Sequence, residues 1–260
     1  LDQWLRHSQL PRLEARMLLQ HAGGYSRVQL VTQGADPLPE AVAAQLDILQ
    51  ARRLKGEPMA YILGGREFYG RWFEVGPDVL IPRPETEHLV EAVIGHLPEN
   101  GQVWDLGTGS GAVAVTVALE RKDAAVRASD ISSGALVIAR KNAETLGARV
   151  EFALGSWFET DKTSSEDKHR FDVIVSNPPY VDAESVEALP DEYLHEPELA
   201  LGSGEDGLDA TRQIILQAAK YLNPKGVLLV EIGHNREVLE AAYPELPFTW
   251  LETSGGDGFV

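Results

Sequence analysis

The stretch "QVWDLGTGSGAVAVTVALERK", residues 102–122, decides the fold. Its first six residues read as a short apolar strand, and "GAVAVTVALERK" reads as the helix after it. Between them stand Gly107, Gly109 and Gly111. Glycine tolerates positive φ and lets the backbone approach a ligand closely, so the turn suits a binding site at a helix start. The same spacing also fits the dinucleotide pattern G-x-G-x-x-G/A, with Ala112 last, and a tight turn without a ligand.

Downstream the alternation repeats. "AVRASD" is a strand and "SSGALVIARKNAETLG" a helix ending at Gly147; "RVEFAL" and "FDVIVSN" are two further strands. "GLDATRQIILQAAKYLNPKG" reads as an amphipathic helix stopped by Pro-Gly, "VLLVEIG" as a strand, and "FTWLETS" as a late strand. Alternation of this kind predicts an α/β fold with a doubly wound, mostly parallel sheet. Upstream the pattern is helical. "LPRLEARMLLQHAG" places Leu10, Leu13, Met17 and Leu18 at helical spacing, and "PEAVAAQLDILQARRLKG" forms a second helix. Residues 61–82 change to short aromatic and β-branched pieces cut by glycines, which predicts a hairpin-like connector. The expected organisation is a small N-terminal helical domain (1–60), the connector (61–82) and a ligand-binding α/β domain (83–260). The biased segment "TDKTSSEDKH" reads as an exposed loop.

Composition narrows the function classes. No apolar run approaches the roughly 18 residues of a membrane span, and "LDQWLRHSQL" does not resemble a signal peptide. The absence of cysteine excludes disulfides and thiolate chemistry and fits a cytoplasmic setting. Residues 1–80 carry nine Lys/Arg and nine Asp/Glu, so the fourteen basic and thirty-one acidic residues of 81–260 supply the whole net charge of −17. Such a region repels a nucleic-acid polyanion, which binds mainly through Lys and Arg. Solubility or a basic protein partner remain as readings of that charge.

Two features give the site its chemistry. Asp130 ends the second strand beside the glycine turn, at the carboxyl edge where open α/β sheets bind ligands. A carboxylate there can accept both hydroxyls of a ribose, in NAD or in S-adenosylmethionine alike. Trp157, after the third strand, can pack on an adenine face. The fourth strand then ends in Asn177-Pro178-Pro179-Tyr180. Each proline pushes the preceding residue toward extended backbone, which fixes the Asn177 and Pro178 carbonyls. Two acceptors and an aromatic face suit a planar NH2 group, oriented toward an electrophile above the glycine turn. Such a reaction needs positioning more than a strong base. A strand stopped by prolines is the plainer reading of the same corner. No metal-ligand spacing or phosphate-loop pattern is present, and histidines such as His88 and His234 read as ordinary surface or core residues.

"DLGTGSGA", Asp130 and "NPPY" resemble S-adenosylmethionine-dependent amino-methyltransferases. With "IPRPETE" (81–87) and "EPELALGSGEDGL" (196–208), the chain resembles the HemK/PrmC family of release factor protein-(glutamine N5) methyltransferases. That resemblance implies a Rossmann-like class I methyltransferase. It further implies methyl transfer to the glutamine of a Gly-Gly-Gln motif, with peptide-chain release factors as protein partners and no nucleic-acid substrate. Carried over by position, Asp105, Gly107, Thr108, Gly109, Ser110, Gly111, Asp130, Ile131, Trp157 and Asn177 would hold the cofactor. Asn177, Pro178, Pro179 and Tyr180 would hold the glutamine amide. A monomer is expected. "NPPY" is shared with adenine and guanine amino-methyltransferases, which form the alternative reading; a cofactor-binding module without catalysis is a third. Ser156 stands where the family often has an acid, and the family usually continues beyond "SGGDGFV" into a last strand. Pro84, Glu85 and Glu87 read as a helix's first turn. The seven acids of 182–199 (Asp182, Glu184, Glu187, Asp191, Glu192, Glu196, Glu198) read as a solvated loop or as an acidic rim that guides a basic protein.

Overall fold

A computed structural model describes residues 1–161 and 170–251. Most of "TDKTSSEDKH" and the last residues of "FTWLETS" therefore lie outside the described residues. The chain divides into two compact units: Leu1–Gly65 with Pro190–His195, and Arg66–Leu189 with the chain from Glu196 onward.

The first unit is helical: α1 (Asp2–His7), α2 (Arg12–Gly23), α3 (Arg27–Thr32), α4 (Glu40–Leu54) and α5 (Met59–Leu63). Leu18 and Leu19 of α2, Leu30 of α3, Leu46 and Leu49 of α4 and Ile62 of α5 share one core. The buried face of α2 is Ala15, Leu18 and Leu19, whereas Leu13 is 71% exposed and Leu10 precedes the helix. The sequence pattern thus finds the helix and Leu18 in its core but wrongly counts Leu13 in the apolar stripe and omits Ala15 and Leu19. It does not reveal the short helices α1, α3 and α5, because fewer than two turns give no measurable periodicity. A capping box nonetheless marks α3: Ser26 Oγ accepts from the Gln29 N–H, and Gln29 returns an acceptor to the Ser26 N–H. Arg53 forks onto Glu14 with two 2.9 Å bonds and reaches Glu192 at 3.3 Å.

The second unit opens with the hairpin β1 (Gly65–Phe68) and β2 (Arg71–Glu74). Its turn residues Tyr69 and Gly70 both have positive φ, 50° and 69°, as a two-residue turn matched to strand twist requires. Five parallel strands come next, in the order β5-β4-β3-β6-β7: β3 (Gln102–Leu106), β4 (Ala125–Asp130), β5 (Glu151–Leu154), β6 (Phe171–Ser176) and β7 (Leu222–Val230). They are linked and flanked by α6 (Thr86–His96), α7 (Ala112–Glu120), α8 (Ser133–Leu146), α9 (Ala183–Glu187), α10 (Asp209–Ala218) and α11 (Arg236–Ala242). Residues of β3 alternate between two cores. Val103 packs with Val113, Val115 and Val173, while Trp104 and Leu106 pack with Phe158, Ile174 and Ile214. A strand buried on both faces reads as apolar throughout, which is why it is legible. The chain runs outward from β3 to β5 and then returns to the other side of β3, so a topological switch point lies between β3 and β6. Ligands of open α/β sheets bind at such a point, at the carboxyl ends of the strands.

Two expected boundaries move. The helix read through "GLDATRQIILQAAKYLNPKG" stops at Ala218, because Leu222 already pairs with Phe171 and Asn223 donates to Asp172 at 2.8 Å. The late strand "FTWLETS" does not form over its described part. Phe248 and Trp250 pack instead against Leu208, Ile232 and Leu239, and no described strand is available to complete their ladder.

Candidate active site

Two connections face each other at the switch point. After β3, the Gly107 and Thr108 N–H groups both donate to the Ser129 carbonyl, at 2.9 and 3.0 Å, which folds the turn toward β4. Gly107 has φ 71°, and a Cβ there would stand 3.5 Å from the Trp157 ring. Gly111 has φ 81° and opens α7; a Cβ would lie 3.2 Å from Ala139, so glycine lets α7 and α8 approach. Both positions need glycine for conformation, and Gly111 for space as well. Trp157 itself holds φ 42°, uncommon for a bulky side chain and a mark of local strain beside the turn.

Asp130 sits at the end of β4 with both carboxylate oxygens engaged. One accepts from the Gly109 N–H and the other from the Ser132 N–H, each at 2.8 Å. Each oxygen keeps a further acceptor position, so Asp130 can shape the turn and still receive hydroxyls. Burial raises its pKa against the pull of those N–H groups. Asp105, deeper in the turn, accepts the Thr108 hydroxyl at 2.6 Å, and burial pushes its carboxyl up to about 7. A cavity of about 510 Å³ opens here. Asp105, Gly107, Thr108, Gly109, Ser110, Asp130, Ile131, Trp157, Asn177 and Pro179 form part of its wall; Gly111, Pro178 and Tyr180 do not. Ile131 is 55% exposed on that wall, and Ser156 contributes to it as well.

After β6 comes the proline corner. The Asn177 side-chain amide donates through Nδ2 to Thr86 Oγ1 at 3.0 Å. Its Oδ1 is buried and has no hydrogen-bond partner among the described residues. The Tyr180 carbonyl accepts from Asn235 at 2.6 Å, and its ring lies where a Cβ on Gly233 would come within 2.7 Å. Tyr180 therefore braces the corner from behind, whereas Asn177 and Pro179 face the cavity.

The segments "IPRPETE" and "EPELAL" meet at the same place. Glu196, with a side chain only 1% exposed, pairs with Arg83 at 2.5 Å and accepts the Ile81 N–H at 2.9 Å. The reading of Glu196 as an exposed rim acid is thereby corrected: a buried carboxylate needs a cation and a donor, and Arg83 and Ile81 supply them. Two other acids of 182–199 also have local partners. Asp182 caps α9 through Ser185, and Glu192 reaches Arg53. Helix α6 starts at Thr86; Pro84 and Glu85 form the turn leading into it, and Glu87 accepts the Tyr69 N–H at 2.8 Å. Thr86 and Glu231, the residue after β7, are both buried at 4% exposure and complete the polar layer behind Asn177. Sequence reasoning names neither as a site residue. The only signal for Glu231 is an acid at the end of an apolar strand.

Burial also raises the Glu231 carboxyl to about 7, with Glu85 pushing the same way against hydrogen bonds from Thr86 and Asn177. Between about pH 4 and 7 the folded chain retains protons on Asp105 and Glu231 that an unfolded chain has released. Stability contributed by these groups therefore falls as pH rises through that window. Glu231→Gln should flatten the decline by roughly 3 kcal/mol between pH 5 and 8. Urea unfolding at both pH values checks this; parallel curves for variant and parent would refute it.

The α/β unit and its switch-point cavity define a class I methyltransferase. The family model described as the PrmC N-terminal domain matches residues 3–64, and the methyltransferase small domain matches 85–204. A release factor glutamine methyltransferase of Neisseria gonorrhoeae is 58% identical over 235 residues, covering 90% of this chain and 85% of the relative. A ribosomal protein uL3 glutamine methyltransferase of Neisseria meningitidis is 54% identical over 220 residues, covering 83% and 71%. A solved methyltransferase from Pyrococcus furiosus shares the fold, with a TM-score of 0.53 at 19% identity over 81% of this chain and 93% of its own. The chain belongs to the HemK/PrmC family. Among the described residues no helix is long and apolar enough to cross a membrane, and no group of three or more His, Asp or Glu side chains is placed to hold a metal ion.

Proposed function

We propose that this enzyme transfers a methyl group from S-adenosylmethionine to the side-chain amide nitrogen of the glutamine in the Gly-Gly-Gln motif of peptide-chain release factors. The observation that carries this reading is Asn177 Oδ1, a buried acceptor without a partner among the described residues, beside a glycine cradle.

The cavity fits the cofactor on three counts. The glycine turn leaves room for close backbone approach, Asp130 keeps acceptor capacity for ribose hydroxyls, and Ile131 and Trp157 offer apolar wall to an adenine. Bound there, S-adenosylmethionine supplies a methyl already activated by its sulfonium. The chain's own residues then bind and orient. Asn177 Oδ1 and the Pro178 carbonyl accept the two hydrogens of the glutamine NH2. Those bonds disfavour the amide resonance of the substrate and stabilise positive charge on nitrogen as its bond to the methyl carbon forms; the carbon–sulfur bond would break to leave S-adenosylhomocysteine, and the nitrogen would give up one of its two protons to water. Prolines 178 and 179 hold the acceptors in place before the substrate arrives, so orientation costs little at the reaction itself. The acidic α/β region favours a protein over a nucleic-acid substrate, and the release factor relatives, 43–58% identical, support the choice of protein.

The test is methyl-labelled S-adenosylmethionine offered separately to release factor, to its Gly-Gly-Gln Gln→Ala variant, to ribosomal protein uL3 and to RNA. Label on intact release factor alone is the expected result. Preferential labelling of uL3 would reassign the substrate within the family, and labelling of RNA would overturn the reading.

A further inference from the structure

We infer that Thr86 and Glu231 form a positioning pair that decides which way the Asn177 amide faces. The inference rests on the amide clamp just proposed. An asparagine side chain can turn over and exchange Oδ1 for Nδ2 with almost no change in shape. In one orientation it presents an acceptor to a substrate NH2; in the other it presents a second donor and repels it. The groups behind the amide therefore determine whether the site works.

Behind it stands Thr86 Oγ1, which accepts from Asn177 Nδ2 at 3.0 Å. The Glu231 carboxyl lies beside both, and the Thr86 hydroxyl and the Asn177 amide each hold its pKa down against the effect of burial. Each polar group behind the amide thus calls for a hydrogen from it or passes one inward. Were the amide reversed, Oδ1 would face the Glu231 carboxylate, acceptor against acceptor. Thr86 and Glu231 are too buried for water to relieve the mismatch. The observed arrangement turns Nδ2 to Thr86 and Oδ1 away from it, and Oδ1 is the buried atom left unpartnered among the described residues.

The register makes this pair possible. Ser176 of β6 lies opposite Val230 of β7, so Asn177 and Glu231 leave adjacent parallel strands at one level. The Glu231 N–H donates to the Ser176 carbonyl at 3.0 Å and prolongs the ladder by one residue. Thr86 is the first residue of α6, which fixes the hydroxyl from the other side. Glu231 Oε2 has no hydrogen-bond partner among the described residues. A buried carboxyl kept at that cost is poorly explained by stability. It is explained by orientation, and by polarisation: donating inward to an acid makes the Asn177 oxygen a better acceptor.

A double-mutant cycle tests the inference with release factor as substrate under single-turnover conditions. Thr86→Val keeps shape and removes the hydroxyl; it should slow methyl transfer about tenfold, the scale of one buried hydrogen bond, with cofactor Kd unchanged. Thr86→Ser should restore most of that loss. Glu231→Gln, which removes the carboxylate's charge and one of its two acceptor oxygens, should slow transfer similarly. In an Asn177→Ala background, neither Thr86→Val nor Glu231→Gln should slow the residual rate further, because both act through Asn177. Equal effects in both backgrounds, or full activity of Thr86→Val in the parent, would overturn the positioning role. If Asn177→Ala itself kept the parental rate, the clamp would fail instead. Melting curves of each variant identify any loss that comes from unfolding.

Discussion

Asn177→Ala is expected to reduce methyl transfer by roughly 10²–10³-fold while leaving the dissociation constant for S-adenosylmethionine within about threefold of the parent. The size of the effect reflects the side chain's role. In the proposed clamp its oxygen is one of two fixed acceptors for the substrate NH2, and it alone belongs to a side chain; the other is the Pro178 carbonyl. Losing a preorganised group aimed at developing charge removes stabilisation that disordered solvent replaces poorly. The substrate nitrogen also loses an orientation constraint, which adds to the loss. Cofactor affinity should survive because the glycine turn, Asp130 and Trp157 all come from the β3–β5 side of the switch point. Single-turnover rates and equilibrium dialysis separate the two quantities. A variant with near-parental rate would reject the amide clamp, and one with cofactor affinity lost in proportion to rate would place Asn177 on the cofactor instead.

The second large effect concerns stability. Glu196→Ala should destabilise the α/β unit by about 3 kcal/mol. The carboxylate is buried, pairs with Arg83 and accepts the Ile81 N–H, so removal takes away one partner of the guanidinium and the acceptor of a buried backbone donor together. Arg83 keeps a side-chain exposure of 23%, which lets water reach it and holds the cost at the lower end for a broken buried pair. Glu196→Gln retains an acceptor for Ile81 and should lose less. Urea denaturation measures both. If the alanine variant were as stable as the parent, the pair would be serving specificity of the loop's path rather than its stability.

Much of the molecule is legible where local chemistry is restrictive. The strand–glycine–helix of 102–122 can be read because glycine at 107 and 111 answers backbone demands that no other residue meets. The corner at 177–180 can be read because consecutive prolines leave few conformations. The hairpin is visible from its glycines, although the positive φ of Tyr69 is not. The features that escape depend on meetings between distant segments. Glu196 looks like one acid among seven until Arg83 is placed against it, 113 residues away. Thr86 and Glu231 carry little local signal: each is an ordinary residue for a helix start or a strand end, and only an acid closing an apolar strand hints at Glu231. "FTWLETS" misleads because β-branched and aromatic content reports fitness for a sheet, not the presence of a neighbouring strand.

The division of the site across the switch point has a further consequence. On the proposed reading, the residues that would receive the methyl donor follow β3, β4 and β5, and those that would receive the acceptor follow β6, the neighbour of β3. Selection acting on one can leave the other undisturbed. A lineage built on this plan can change the protein it modifies by rewriting the segments after β6, and still inherit its donor site intact.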